Sequence, residues 1–560
     1  PTATARPVTD PRSPSDTRPS GSARSWSLEV LEGTTFDLLV IGGGITGAGV
    51  ARDAALRGLS VALVEREDFA SGTSSRSSRL VHGGIRYLEH GHLSLVFESS
   101  RERRTLLEIA PHLVRPMQFL WPLYEGTGVK PWKLRAGFFL YDALALFRNV
   151  ARHEPLTAND VVSREPMIRQ LGLSGGFTYY DASADDARLT LMNALDAARA
   201  GAVVLNHAAV RKLDAHAVKI EDTLTGRALT ARARIVVNAT GAWSDHLRHL
   251  AGDGTHAGIR PSKGSHILVP RDRIRNDGAL TVTSPVDGRV MFILPAGDLT
   301  IISTTETPYE GLPEDVRATT EDITYLLRSA NAYFPAAHLT RADVISAWAG
   351  VRPLAASDEA NAGRASREHT LAWSTPWMLT VTGGKLTTYR AMADEIVRKV
   401  FRKLGRRAPR TLTASRALPG GEPGSGAPGG IIPDPEVGRH LARAYGSHWR
   451  DVWARSKEKP SLANRVVPEL PYVRAELHHA VEAEMAMTLA DVLVRRIHLA
   501  FELRDHALSI APRVASDIAP LLHWDPARQE DEVERYARDV ARMFGVESGR
   551  EEGGGRREKS

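Results

Sequence analysis

A chain of 560 residues is too long for one hydrophobic core and divides into two or three domains. Its formal net charge of +6 is small for that length, and no basic run carries interleaved aromatics, which argues against nucleic-acid binding. The absence of cysteine excludes disulfides, thiolate catalysis and redox-active dithiols, and no metal site is read from the other residues.

Residues 1–34 are rich in Pro, Ser, Thr and Arg and read as a disordered leader without a secretory signal. The expected location is cytoplasmic; a peripheral position on the inner face of the cytoplasmic membrane is the alternative that a membrane-bound partner would require. The run Phe36–Ile41 then reads as a buried strand, followed by Gly42, Gly44 and Gly47 and a helical pattern through Arg57. A second apolar run, Val61–Val64, ends in Glu65. This is a βαβ dinucleotide fingerprint with its acidic residue about 20 positions on. Gly42 allows the tight turn, Gly44 the approach of a pyrophosphate and Gly47 close helix–strand packing. The pyrophosphate would sit on the helix N-terminus, where Ile45 and Thr46 lie, and Glu65, beside Arg66, would accept from a ribose hydroxyl.

The next segment, Asp68 to Leu88, is a hydroxyl-rich loop punctuated by glycine and carrying Arg76, Arg79 and Arg86. Its donors suit further phosphate, and its glycines would let a flat ring approach the backbone. Leu134–Phe147 is the longest greasy stretch, but a membrane span needs about 20 apolar residues, and this one contains Arg135 and Asp142. It reads as a buried helix with solvated ends. The alternative is an interfacial amphipathic helix, because Lys130, Trp132, Lys133, Arg148 and Arg152 flank it.

Further on, Ala187–Ala200 reads as a helix, Ala202–Leu205 as a strand, and Ala233–Gly241 as a strand ending in a turn. Alternating segments between Ile259 and Thr305 predict an antiparallel sheet. A strand at Met378–Val381 runs into Gly383-Gly384-Lys385 and a helix over Leu386–Leu404. Residues 415–434 form a Gly/Pro-dense linker that marks a domain boundary. Residues 435–546 carry helical periodicity, with Trp449, Trp453, Leu489, Val492 and Leu493 as core positions, and 547–560 read as a disordered tail.

The segment Thr73–Tyr87 closely resembles the second flavin-binding loop of FAD-dependent glycerol-3-phosphate dehydrogenases, in the D-amino-acid-oxidase-like flavoprotein group. Other family-like words follow in order: Tyr180-Asp181 with Asp185–Leu189, Val237–Trp243, Lys263–Ile267, Thr304-Thr305-Glu306, Gly350–Leu354, Ser366–Thr370 and Gly383–Arg390. The resemblance spans roughly Phe36 to Leu404, and weaker similarity continues through Tyr472, Glu484, Ala486, Thr488–Leu493, Arg495 and Arg496. Glu306 and Arg79 stand where Asp and Lys are expected, and both keep the charge.

The resemblance implies an α/β fold: a Rossmann-type FAD-binding domain (35–110, 155–258, 350–405) with an inserted antiparallel-sheet substrate domain (111–154, 259–349), plus a C-terminal all-α domain. It implies non-covalent FAD, although His82 invites thought of a covalent bond. The cofactor site would comprise Gly42, Gly44, Ile45, Thr46, Gly47, Glu65, Arg66, Thr73, Ser74, Ser75, Arg79, Leu80, His82, Gly83, Gly84, Val210, Ala239, Thr240, Gly241, Trp243, Arg352, Gly384, Lys385, Leu386 and Thr387.

Glycerol 3-phosphate is a dianion with a secondary alcohol, so its pocket needs cations and a base. By motif match, Arg352 and Arg367 clamp the phosphate, and Arg86, Tyr87 and Lys385 complete the pocket. His266 is the general base while the C2 hydride moves to flavin N5. Gly383–Thr387, opening a helix, would stabilise charge on the reduced flavin. The expected reaction yields dihydroxyacetone phosphate, with electrons passing to a membrane quinone. Alternatives are an oxidase releasing hydrogen peroxide, an amino-acid oxidase of the same fold, or a non-catalytic flavin-binding protein; a homodimer is left open.

Overall fold

The strand Thr35–Ile41, apolar throughout from Leu38 to Ile41, is buried on both faces at the centre of a parallel sheet. Its neighbours are Val61–Val64 and Ala228–Asn238, with Val203–Leu205 and Met378–Thr382 outside them. Helices Ile45–Leu56, Asp186–Arg199 and Tyr389–Lys403 cover one face through an Ala-rich core. In this computed structural model the described residues are 20–85, 92–126, 131–146, 150–215, 217–253, 258–355, 369–423 and 428–548.

A second sheet holds the substrate-side strands. Ile259–Pro270 pairs antiparallel with Leu299–Ser303 and Ser346–Ala355. Beyond Val290–Ala296 and Ala279–Thr283 the sheet continues into Val114–Tyr124 and Leu173–Ala184. The predicted antiparallel region is thus wider than expected: Leu173–Ala184 and Ser346–Ala355 lie in this sheet, beyond the anticipated borders at 155 and 349. Long-range strand pairing, invisible locally, decides that membership.

Three other expectations need correction. Ser20–Gly33 is a helix, not disordered: Leu28 and Leu31 are buried, and Arg24 donates to Asp222 at 2.6 Å. The Gly/Pro segment is docked rather than free at both ends, since Leu418 and Ile432 are buried and the Leu418 N–H donates to the Ile109 carbonyl at 2.8 Å. The helix expected at Leu386 begins at Tyr389, because residues 386–388 turn so that Thr387 can hydrogen-bond the backbone of His82.

Pro131–Leu144 is the helix in the greasy stretch, and it is not buried as read. Phe138 and Tyr141 point inward, whereas Trp132 is 66% and Phe139 61% exposed. Leu140 and, just beyond the helix, Leu146 are exposed as well. Among the described residues no helix is long and apolar enough to cross a membrane.

The C-terminal helices include Pro435–Tyr445, Trp449–Glu458, Arg474–Glu482, Ala511–Leu522 and Pro526–Phe544. Trp449, Leu489, Val492 and Leu493 are buried as expected, and Trp453 is half-buried. A charged knot joins this domain to the first. Asp68, wholly buried, accepts from Arg495 and Arg496 at 2.6 Å each, and Asp491 accepts from Arg495 at 2.6 Å and pairs with His207 at 2.8 Å. Asp68, His207 and Asp491 place ligand-type atoms within 4.8 Å of one another, but these lone pairs are committed to ion pairs.

Candidate active site

A cavity of about 460 Å³ runs from the glycine turn to the substrate sheet. At the turn, Gly42 has φ +107°, and a Cβ there would meet the Ala239 carbonyl oxygen at 2.6 Å. A Cβ on Gly47 would collide with the Gly42 carbonyl, so this glycine serves helix–strand packing and does not line the cavity. The Ile45 N–H donates to Ser74 Oγ at 3.0 Å, which fastens the second loop to the helix N-terminus. Glu65 is oriented by the N–H groups of Gly43 at 2.6 Å and Glu67 at 2.9 Å. Burial raises its pKa, against the preference of those two donors for the carboxylate. Arg66 lies 5.1 Å over the Trp243 ring, whose Nε1 donates to Glu314 at 2.7 Å. Gly44, Thr46, Val210, Ala239, Thr240 and Gly241 complete this end.

The second loop lines the middle with Thr73, Ser74, Leu80, His82 and Gly84. Thr73 Oγ1 donates to the Val351 carbonyl at 2.6 Å, joining flavin loop to substrate strand. Three loop residues take other places than expected. Ser75 is buried outside the cavity wall, and Arg79 covers Phe501 at 4.9 Å and Trp348 at 5.9 Å. Gly83 packs beside Tyr141, and its N–H donates to Asp181 at 2.9 Å. These three support the loop rather than form the wall.

At the far end His266, Arg352, Gly384, Lys385, Leu386 and Thr387 converge. His266 and Trp348 face each other across paired strands, and their rings stack at 5.2 Å with an interplanar angle of 4°. His266 Nε2 lies 3.0 Å from Ser78 Oγ. Burial, with the Arg352 and Arg79 charges, pulls its pKa down to about 3, so the imidazole is neutral at physiological pH. Arg352 is held by Thr304 Oγ1 at 3.1 Å and by the Thr305 carbonyl at 3.4 Å. A Cβ on Gly264 would come within 2.7 Å of the Arg352 guanidinium carbon. Gly264→Ala is therefore expected to displace this guanidinium and raise KM for a phosphorylated substrate on the order of tenfold at constant flavin content, measured by steady-state kinetics.

Arg86, Tyr87 and Arg367 lie outside the described residues. The sequence reading missed Ser78, Trp348 and the Arg289–Glu306 pair at 3.3 Å, all except Trp348 lining the cavity. Ser78 was visible in the hydroxyl-rich loop, but only strand pairing brings it to His266.

The donors and the glycine cradle at one end of a cavity that extends to His266 fit a dinucleotide cofactor. The FAD dependent oxidoreductase model matches residues 37–390, and the model for the C-terminal domain of alpha-glycerophosphate oxidase matches 386–529. A glycerol-3-phosphate dehydrogenase of Synechocystis sp. is 38% identical over 535 residues, covering 90% of this chain and 96% of its own. This chain belongs to the FAD-dependent glycerol-3-phosphate dehydrogenases. Glycerol-3-phosphate dehydrogenase 2 of Mycobacterium tuberculosis is 38% identical over 92% of this chain and 90% of its own. The crystal structure of the Bacillus halodurans glycerol-3-phosphate dehydrogenase complexed with FAD superposes with a TM-score of 0.77 at 32% identity, covering 93% of this chain and 98% of that one. FAD is thus the cofactor, and flavin-dependent oxidation of glycerol 3-phosphate the activity, of this dehydrogenase.

Proposed function

We propose that this dehydrogenase converts sn-glycerol 3-phosphate to dihydroxyacetone phosphate and passes the electrons to a membrane quinone from a peripheral position on the inner face of the cytoplasmic membrane. FAD, when bound, supplies the two-electron acceptor. Arg352 and Arg367 bind the phosphate, with Arg86, Tyr87 and Lys385 around the glycerol. His266, neutral and aligned by Ser78, takes the C2 hydroxyl proton. Its low proton affinity reflects Arg352 in part, so a phosphate dianion against that arginine raises it when the base is needed.

The observation that carries the quinone reading is the helix Pro131–Leu144. Trp132 and Phe139 stand exposed beside Lys133 and Arg135, the pattern of a helix lying in a lipid interface. Its inner face connects to the flavin loop: Tyr141 donates to Asp181 at 2.6 Å, and Asp181 also accepts from Gly83.

Anaerobic glycerol 3-phosphate is expected to bleach the yellow holoenzyme, and a soluble quinone to reoxidise it faster than oxygen does. No bleaching, with lactate and amino acids inert in parallel, would defeat the substrate reading. Faster reoxidation by oxygen, with peroxide release, would assign an oxidase instead. Sedimentation with anionic vesicles should be lost in Trp132→Ser/Phe139→Ser; unchanged sedimentation would refute the docking helix.

A further inference from the structure

A second cavity, of about 190 Å³, lies where the loop after Glu65 meets the last helix, Pro526–Phe544. Its wall carries Arg76, Arg495, Arg535 and Arg542 against the carboxylates of Glu67, Asp491 and Asp539. Each carboxylate already has a cation. Glu67 pairs with Arg542 at 2.9 Å, Asp539 with Arg542 at 3.1 Å, and Asp491 with Arg495 at 2.6 Å and His207 at 2.8 Å. Arg495 is further spent on Asp68, and Arg535 lies 3.5 Å from Glu532.

Arg76 differs from its neighbours. It is only 7% exposed, and among the described residues no hydrogen bond or ion pair engages its guanidinium, whose Nε is buried without a partner. Arg76 and Ser71 stand in the wall between this cavity and the flavin cavity, and Arg542, Glu67, Arg495 and Asp539 on this side are the charges that act on the guanidinium. Burial, then the Arg542 and Arg495 charges, draws its pKa down to about 10, against the opposing pull of Glu67. A buried cation without a counter-ion is costly, and neighbouring cations add to the cost. An oxyanion supplies both the charge and the paired acceptors that a guanidinium fork prefers. The volume suits a small anion.

We infer that this cavity is a second anion site, on the other side of the Arg76 wall from the flavin cavity and distinct from the Arg352 end, which takes phosphate or the phosphate group of a small monoester. Its occupancy ties the last helix to the flavin loop, because Arg76 directly follows Thr73–Ser75 and Arg542 sits on Pro526–Phe544. A metabolite carrying phosphate would thereby stabilise the junction between the flavin domain and the C-terminal domain.

The test uses the full-length, FAD-loaded enzyme titrated at constant ionic strength with inorganic phosphate and, separately, with glycerol 2-phosphate, which lacks the oxidisable C2 hydroxyl. The thermal midpoint is expected to rise saturably. The half-saturating concentration should increase at least tenfold in Arg76→Met and in Arg535→Gln, and stay as in the parent in Arg352→Ala. Tighter action by the ester assigns a phosphomonoester site, and tighter action by phosphate a free-phosphate site; both support the inference. Should Arg76→Met lose flavin, Arg535→Gln decides, since its side chain does not line the flavin cavity. Three results would overturn the site: no saturable rise, an unchanged response in Arg535→Gln, or a response lost in Arg352→Ala, which would put the anion in the substrate pocket.

Discussion

Arg352→Ala is expected to lower kcat/KM for glycerol 3-phosphate on the order of 1,000-fold while leaving bound FAD in place. Removing one partner of a desolvated, hydrogen-bonded charge pair costs about 4 kcal/mol, and in the proposed clamp Arg352 is the partner removed and the substrate phosphate the one left behind. The arginine is held ready for an anion, because Thr304 and Thr305 fix its fork and Gly264 leaves the space it occupies. Arg352 also pulls the His266 pKa down, so the variant should have a histidine that protonates at higher pH than in the parent enzyme. Steady-state kinetics together with the flavin absorbance of the purified protein provide the check. Unchanged substrate affinity would remove Arg352 from the clamp.

Asp68→Ala is expected to destabilise the junction between domains by about 4 kcal/mol, because it leaves the Arg495 and Arg496 guanidinium groups buried without their shared carboxylate. Among the described residues Arg496 then keeps the Glu484 carbonyl, at 2.7 Å and 3.0 Å, as its hydrogen-bond acceptor, and Arg495 keeps Asp491. Urea unfolding should show an earlier transition for the C-terminal helices, and limited proteolysis should cut there first. A midpoint equal to that of the parent would mean that apolar packing between the domains, not this charged knot, holds them together.

The dinucleotide half of the site was legible because its physics is local. A turn that tolerates φ +107° at Gly42, a helix N-terminus at Ile45 and a carboxylate at Glu65 all fall within one βαβ unit. The residues proposed for the substrate half were named only through resemblance of motifs. His266, Ser78 and Arg352 come from separate segments, and their meeting depends on Ile259–Pro270 pairing with Ser346–Ala355 and on Thr73 binding the Val351 carbonyl. Ser75, Arg79 and Gly83 show the converse: they belong to the flavin-loop motif, yet packing turns them away from the cavity wall toward Asp181, Phe501 and neighbouring strands.

The helix Pro131–Leu144 marks the same divide. Its apolar content alone suits a buried helix, and only the placement of Phe138 and Tyr141 against the second sheet leaves Trp132 and Phe139 outside. The segment Ser20–Gly33 erred in the opposite direction, since weak apolar content hid Leu28, Leu31 and the Arg24–Asp222 pair. Order along the chain therefore established the nucleotide turn, the flavin loop and the kind of chemistry, all of which rest on backbone conformation and neighbouring residues. Tertiary structure decided which side chains line the cavity, which apolar side chains stay exposed, and which cation among the described residues is left without a hydrogen-bond or ion-pair partner at the domain junction. Those outcomes depend on burial and on charges brought together from segments hundreds of residues apart.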